Sequence, residues 1–176
     1  MINVFSYFDY QIAVTVIIIA TAWKWGDWKN WSKYYSTILF YICNDIIVAL
    51  IFYNYPLWQL ESPLLKTTFS DLLITMLFFP AALLLYLPYF PNNPIKKIKY
   101  IILWTLVFVF IEAISYASGY ITYHNGWNVW WTALFDVNML ILLRIHYKKP
   151  LLAWLLSISY IAIAIFWFKL PFNLIK

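Results

Sequence analysis

Long apolar runs, each about as long as a lipid bilayer is thick, are the feature that most constrains this chain. A helix needs about 20 apolar residues to cross the hydrocarbon core. By this measure the predicted spans are 4–23, 36–53, 67–87, 100–120, 127–145 and 151–168. The first run could instead be a signal peptide, but no Lys or Arg precedes it and Asp9 lies where a positive region is expected. We therefore interpret it as a retained helix.

The composition excludes the soluble classes of protein. Residues are 65% hydrophobic and only 11% charged, whereas a soluble domain is about 25% charged. The whole chain, 1–176, is therefore predicted to form one all-α transmembrane domain whose first partner is the lipid bilayer. With three glycines and no HExxH or CxxC pattern, the sequence predicts no cofactor and no metal site. No nucleic-acid partner is expected either, because the cations lie in short loops between spans.

The cations also predict an orientation. One set of loops carries nine of them and the other set carries three, Lys66, Lys169 and Lys176. Loops rich in Lys and Arg stay in the cytoplasm, so the N-terminus and the C-terminus are both predicted to lie outside. The nine are Lys24, Lys29, Lys33, Lys96, Lys97, Lys99, Arg144, Lys148 and Lys149.

Three predicted spans each carry an acid near the middle: Asp45, Glu112 and Asp136. An ionised acid at the centre of a membrane helix costs about 2.5–3.5 kcal/mol, so such residues point to function by default. We expect all three near the membrane midplane, at one depth. The alternative is that each is protonated and only packs the bundle, through interhelical hydrogen bonds of about 0.6 kcal/mol.

Neutral polar residues extend this pattern along two spans. Asn128, Thr132 and Asp136 recur every four residues, which places them on one helix face, and Glu112 and Ser115 share a face in the same way. Both stripes run from the predicted midplane to the outer side, which predicts a small polar cavity open outward. The candidate site residues are Asp45, Glu112, Asp136, Asn128, Thr132, Ser115 and, in the outer turn, His124.

Aromatic residues crowd the same outer region. We expect them to form an interfacial belt that contacts lipid headgroups, with an aromatic-lined pocket for a cationic or flat ligand as the alternative. Elsewhere, Pro80 predicts a kink in span three, and His146, among cations, is interpreted as a topology residue. The aromatic set is Tyr116, Tyr120, Tyr123, Trp127, Trp130 and Trp131.

Several short motifs occur in a characteristic order: PLW at 56–58, Glu112, YHNGW at 123–127, and RIH at 144–146 before Pro150. In this order the chain resembles an uncharacterised family of small six-helix membrane proteins from spore-forming Gram-positive bacteria. The resemblance covers most of the chain, from span two to span six. It implies a multi-pass protein of a bacterial plasma membrane, and the family has no agreed activity to transfer.

Three classes of function stay open at this stage. The chain could bind a proton, a cation or a small ligand at its carboxylates. It could be an accessory or sensor subunit that packs against itself as a homo-oligomer or against another membrane protein. As a third alternative, it could be an intramembrane enzyme acting on a lipid, with Glu112 or Asp136 as the acid–base and His124 assisting.

The orientation gives a first testable prediction. Reporter enzymes fused to either end of the chain should be active only on the outer side of the membrane, because nine of twelve cations lie in the loops of the opposite side. A C-terminal fusion with cytoplasmic activity would contradict the six-span arrangement.

Overall fold

The structure is a computed structural model that describes residues 9–175. It is built from six helices. Short 3-10 turns lie at Trp28–Asn30 and Phe172–Leu174, and two strands, β1 (Trp58–Leu60) and β2 (Ile121–Tyr123), connect helices. The all-α prediction is confirmed. The helices are α1 (Tyr10–Trp25), α2 (Trp31–Ile51), α3 (Thr67–Tyr86), α4 (Pro94–Ala117), α5 (Val129–Lys148) and α6 (Pro150–Trp167).

Five helices are long and apolar enough to cross a membrane: α2 with the turn before it, α3, α4, α5 and α6. The remaining helix, α1, is apolar but has 16 described residues, and the predicted first span begins at residue 4, outside the described part. A multi-pass membrane protein is therefore supported, while the sixth span and the orientation stay predictions.

Helix boundaries follow from local capping chemistry. The side chain of Asn93 accepts hydrogen bonds from the backbone N–H groups of residues 95 and 96 at the start of α4, where Pro94 is the first helical residue. Asn128 does the same for residues 130 and 131 at the start of α5. Such caps satisfy backbone donors that have no partner within the helix. Pro150 begins α6, because proline needs no donor partner in the first turn.

Helix α3 carries a π-helical segment, Ile74–Phe78, directly before Pro80. The ring of a proline inside an α-helix collides with the carbonyl group four residues earlier. Here the turn is widened, and the N–H of Phe79 donates to the carbonyl oxygen of Ile74. Helix α3 thus accommodates Pro80 with a wide turn, which contains Thr75. Turns of this kind often mark functional sites.

A two-stranded antiparallel ribbon closes one end of the bundle. Trp58 pairs with Tyr123 and Leu60 with Ile121. Backbone bonds prolong the pairing, with the N–H of His124 donating to the carbonyl oxygen of Leu57 at 2.8 Å. These segments were predicted only as a loop and a turn, because three-residue strands are too short to show an alternating pattern. We name this side of the molecule the ribbon end.

The opposite side is the lysine end, formed by segments 24–33, 87–99 and 144–150. Contacts hold these segments together: the Tyr89 hydroxyl donates to the carbonyl oxygen of Trp25 at 2.8 Å, and the Arg144 guanidinium lies 4.6 Å from the centroid of the Phe90 ring. All nine cations of the richer set fall in these segments. Lys66 and Lys169 belong to ribbon-end segments, and Lys176 lies outside the described residues.

The interior is organised around Tyr86 of α3, which is 1% exposed. Its ring stacks on Tyr100 of α4 with centroids 5.5 Å apart, and its hydroxyl donates to the carbonyl oxygen of Leu140 in α5 at 3.0 Å. One side chain thus joins three helices. The outer faces of α4 and α6 expose large apolar side chains such as Phe110 and Leu155, as expected where the solvent is hydrocarbon.

The Tyr86 contact predicts a stability effect. Replacing Tyr86 with Phe should lower the free energy of unfolding by about 1 kcal/mol, because the buried carbonyl of Leu140 loses its extra donor. Thermal or denaturant unfolding in detergent micelles would measure it. Tyr35→Phe, at a half-exposed ring, is the control and should change stability by much less; equal effects at both positions would contradict the assignment.

Candidate functional site

Glu112 lies where α4 faces α5 and accepts two hydrogen bonds on one oxygen. The Tyr123 hydroxyl and the Thr132 hydroxyl each donate to its Oε1 at 2.6 Å. Thr132 in turn accepts a hydrogen bond from Nε1 of Trp127 at 3.0 Å. The carboxyl group is therefore tied to the ribbon through Tyr123 and to the start of α5 through Thr132.

Asp136 lies one turn further along α5, on the same face as Thr132. It is 6% exposed, and its Oδ2 has no hydrogen-bond partner. Thr132, the residue four positions before it on this face, donates to Glu112, so Asp136 lies one helical turn from the Glu112 contact. A buried polar atom without a partner is costly and requires an explanation.

Asp45 forms the third part of the site, on α2. It accepts hydrogen bonds from the Tyr41 hydroxyl at 3.4 Å and from the Thr75 hydroxyl of the π-helical turn. Asp45 also lines a cavity of about 60 Å³ between α2, α5 and α6, together with Tyr160. Tyr41 lines the same cavity, beside Asp45 on α2.

The three acids lie at similar distances from the ribbon ends of their helices, nearer those ends than the middle, while their depth in a membrane stays a prediction. Glu112, Asp45 and Asp136 are about five to seven residues from the ribbon ends of α4, α2 and α5. At about 1.5 Å per residue this is about 8–11 Å. The sequence predicts the acids nearer the middle of their spans. The difference arises because α2 and α4 begin about five residues earlier than predicted, which moves the centres of these helices toward the lysine end.

The other predicted site residues make hydrogen bonds with residues close to them in the sequence. The Asn128 side chain caps α5. Ser115 is buried on α4, and its carbonyl oxygen accepts from the N–H of Tyr120 at 2.8 Å. His124 is exposed, with Nε2 3.0 Å from the hydroxyl of Thr122. Of the predicted neutral residues, Thr132 is the one that the structure brings into direct contact with an acid.

Sequence reasoning missed several partners. Tyr41 was detectable, since it precedes Asp45 by four residues on one helix, whereas no pattern linked Asp45 to Thr75. His146 was interpreted as a topology residue, and this is corrected: it is 6% exposed, lies with Nδ1 3.0 Å from the Thr37 hydroxyl, and stacks on Phe40 at 4.2 Å. The side chain is therefore buried against α2, which the neighbouring cations in the sequence did not indicate.

The aromatic set divides into two environments. Tyr116 and Trp130 are 53% and 81% exposed, and Tyr116 stacks on Tyr123 at 4.6 Å. Trp127 and Trp131 instead line a second cavity, of about 260 Å³, near the ribbon end. Headgroup contact by the exposed rings stays a prediction.

Tyr123 lies in strand β2, outside the predicted spans. Burial raises the pKa of its hydroxyl, and the hydrogen bond to Glu112 raises this pKa further. The phenol therefore stays protonated through the physiological pH range and keeps its donor role toward the carboxyl group.

Within residues 9–175, no three His, Cys, Asp or Glu side chains gather in a group that could hold a metal ion. No protein-family model, curated protein or solved structure matches the chain. The family resemblance stays a hypothesis, and any function has to be inferred from the residues themselves.

The Glu112 contacts predict a second stability effect. Thr132→Val should lower the free energy of unfolding by about 1–3 kcal/mol, because Glu112 loses one of its two donors and Trp127 loses its acceptor. Thr132→Ser keeps the hydroxyl and should restore most of the loss. Thermal unfolding in micelles compares the two variants, and equal melting temperatures would show that the hydroxyl is not used.

Proposed function

We propose that this chain is a multi-pass membrane protein that reversibly binds a proton at the Glu112–Asp136 pair. The observation that supports the proposal is the Oδ2 atom of Asp136, which is buried and has no hydrogen-bond partner. A bound proton neutralises the group and removes most of the cost of burying it.

The two members of the pair have different surroundings. Oε1 of Glu112 receives two donors, which stabilise a negative charge on that atom. Oδ2 of Asp136 receives none. Two acids that interact cannot both be ionised without additional cost, so they share protons as a unit. We assign the proton that is bound and released to Asp136 and the hydrogen-bonded charge to Glu112.

A proton suits this site better than a metal cation. Hard cations such as Ca²⁺ take six to eight oxygen ligands, whereas a proton needs only one acceptor and no coordination shell. The Tyr123 hydroxyl contacts Glu112 directly and is half-buried in the ribbon. It gives the carboxyl pair a hydrogen-bonded connection toward the ribbon-end surface.

The proposal includes a location. Six spans in a bacterial plasma membrane, with the ribbon end outside, are supported by the gathering of nine cations at the lysine end. The resemblance to the family from spore-forming bacteria agrees with this location. In this orientation the carboxyl pair exchanges its proton with the outer medium, so the chain responds to external pH.

Infrared difference spectroscopy tests the proton site. The protein in nanodiscs should show carbonyl-stretch bands of protonated carboxyl groups that change between acid and alkaline buffer. Asp136→Asn should remove one of these bands. Glu112→Gln should alter the pH midpoint of the Asp136 band, because the two groups interact.

Asp71→Asn is the matched control, an acid of α3 outside the pair. It should remove only its own contribution and leave the Asp136 band in place. If Asp136→Asn and Asp71→Asn gave the same spectra, or if the Glu112 change left every midpoint unaltered, the proton-binding pair would be refuted.

A further inference from the structure

The cavity of about 260 Å³ near the ribbon end lies between α2, α5 and α6 under strand β1. Its lining is almost entirely apolar and includes the rings of Phe52, Trp58, Trp127, Trp131, Trp167 and Phe168. The proton site does not explain this cavity, because neither Glu112 nor Asp136 lines it.

The walls of the cavity are held by contacts between rings. Trp58 and Trp127 have centroids 4.8 Å apart, Trp127 and Phe168 5.4 Å, and Trp131 and Trp167 5.3 Å. Aromatic pairs at these separations are stabilising beyond their buried area. The space is therefore bounded by mutually supported side chains of the ribbon, α5 and the end of α6.

The cavity is continuous with the surface that faces hydrocarbon. Three of its lining residues are strongly exposed: Leu134 at 46%, Ile163 at 61% and Trp167 at 64%. They belong to α5 and α6, and α6 is among the least buried helices, with 11% of its apolar window inside the protein. The cavity wall therefore includes part of the outer surface of α5 and α6.

A cation lies beside the cavity. Lys169 directly follows Trp167 and Phe168, which both line it, and is itself exposed. Its backbone is fixed in the left-handed region, with φ of 52°, and the next residue, Leu170, is 4% exposed. The backbone of Lys169 thus keeps this residue at the ribbon end of α6, next to two residues that line the cavity.

We propose that this cavity binds one acyl chain of a phospholipid, whose anionic headgroup pairs with Lys169. The volume exceeds the roughly 150 Å³ of an engineered apolar cavity that stays dry and takes up benzene. An apolar chain fits such a lining, and a lysine at the bilayer surface attracts anionic lipids. The lipid is the occupant because the opening faces the hydrocarbon.

Photolabelling tests the occupant directly. The protein is placed in nanodiscs containing phosphatidylglycerol with a diazirine in one acyl chain, and labelled peptides are mapped by mass spectrometry. Label should concentrate on segments 127–134 and 160–168. Ala164→Phe fills the cavity from α6 and should lower this labelling by at least about threefold, in keeping with the modest packing energies within a bilayer.

Ala162→Phe is the matched control, since Ala162 is on the same helix but does not line the cavity. It should leave the labelling unchanged. If Ala164→Phe does not fold, as judged by its unfolding transition, Ala164→Leu fills less space and takes its place. Equal labelling in the filled and control variants, or label spread evenly along α4, would overturn the acyl-chain site.

Lys169 is tested separately. Lys169→Asn removes the charge with a residue that tolerates the left-handed backbone. Labelling by the phosphatidylglycerol probe should fall to that of a phosphatidylcholine probe with the same chain, while the position of the label stays the same. An unchanged preference for phosphatidylglycerol would refute the headgroup pairing. Neither result decides whether the Glu112–Asp136 pair binds a proton, which the infrared experiment tests separately.

Discussion

Polar groups in a bilayer must find their partners inside the protein, because hydrocarbon offers none, and the architecture of this chain depends on that constraint. The loops at one end pair with each other as a ribbon. The wide turn before Pro80 gives the Phe79 N–H an acceptor. Glu112 receives donors from two directions. Each of these features therefore gives polar groups a partner within the protein.

The buried polar atoms that lack a hydrogen-bond partner are concentrated near the ribbon end. Five buried side-chain atoms have no hydrogen-bond partner among the described residues, and four of them, in Gln11, Thr15, Ser70 and Asp136, lie in the ribbon-end halves of their helices. These atoms make the ribbon-end half of the bundle more polar than the rest of its interior. Each of them reduces stability, because a buried polar atom without a partner is costly.

The sequence predicted much of this fold, because length and hydropathy alone define membrane helices. Five of the six predicted spans correspond to helices able to cross a bilayer, and the cation pattern distinguished the two ends of the bundle. It could not show the ribbon, whose strands are three residues long, or the bond from Thr75 to Asp45 across 30 positions. Contacts between distant segments depend on helix rotation, which an almost uniformly apolar sequence does not encode.

Trp127 belongs to both of the sites that the fold builds. Its ring is a wall of the aromatic cavity, and its Nε1 donates to Thr132, which donates to Glu112. Anything that displaces the indole ring therefore acts on the hydrogen bonds of the carboxyl group. Thermodynamic linkage makes such an effect reciprocal: the factor by which an occupant changes proton affinity equals the factor by which the proton changes occupancy. Under the two proposals above, a single indole ring would link occupancy of the cavity to proton binding at the carboxyl pair.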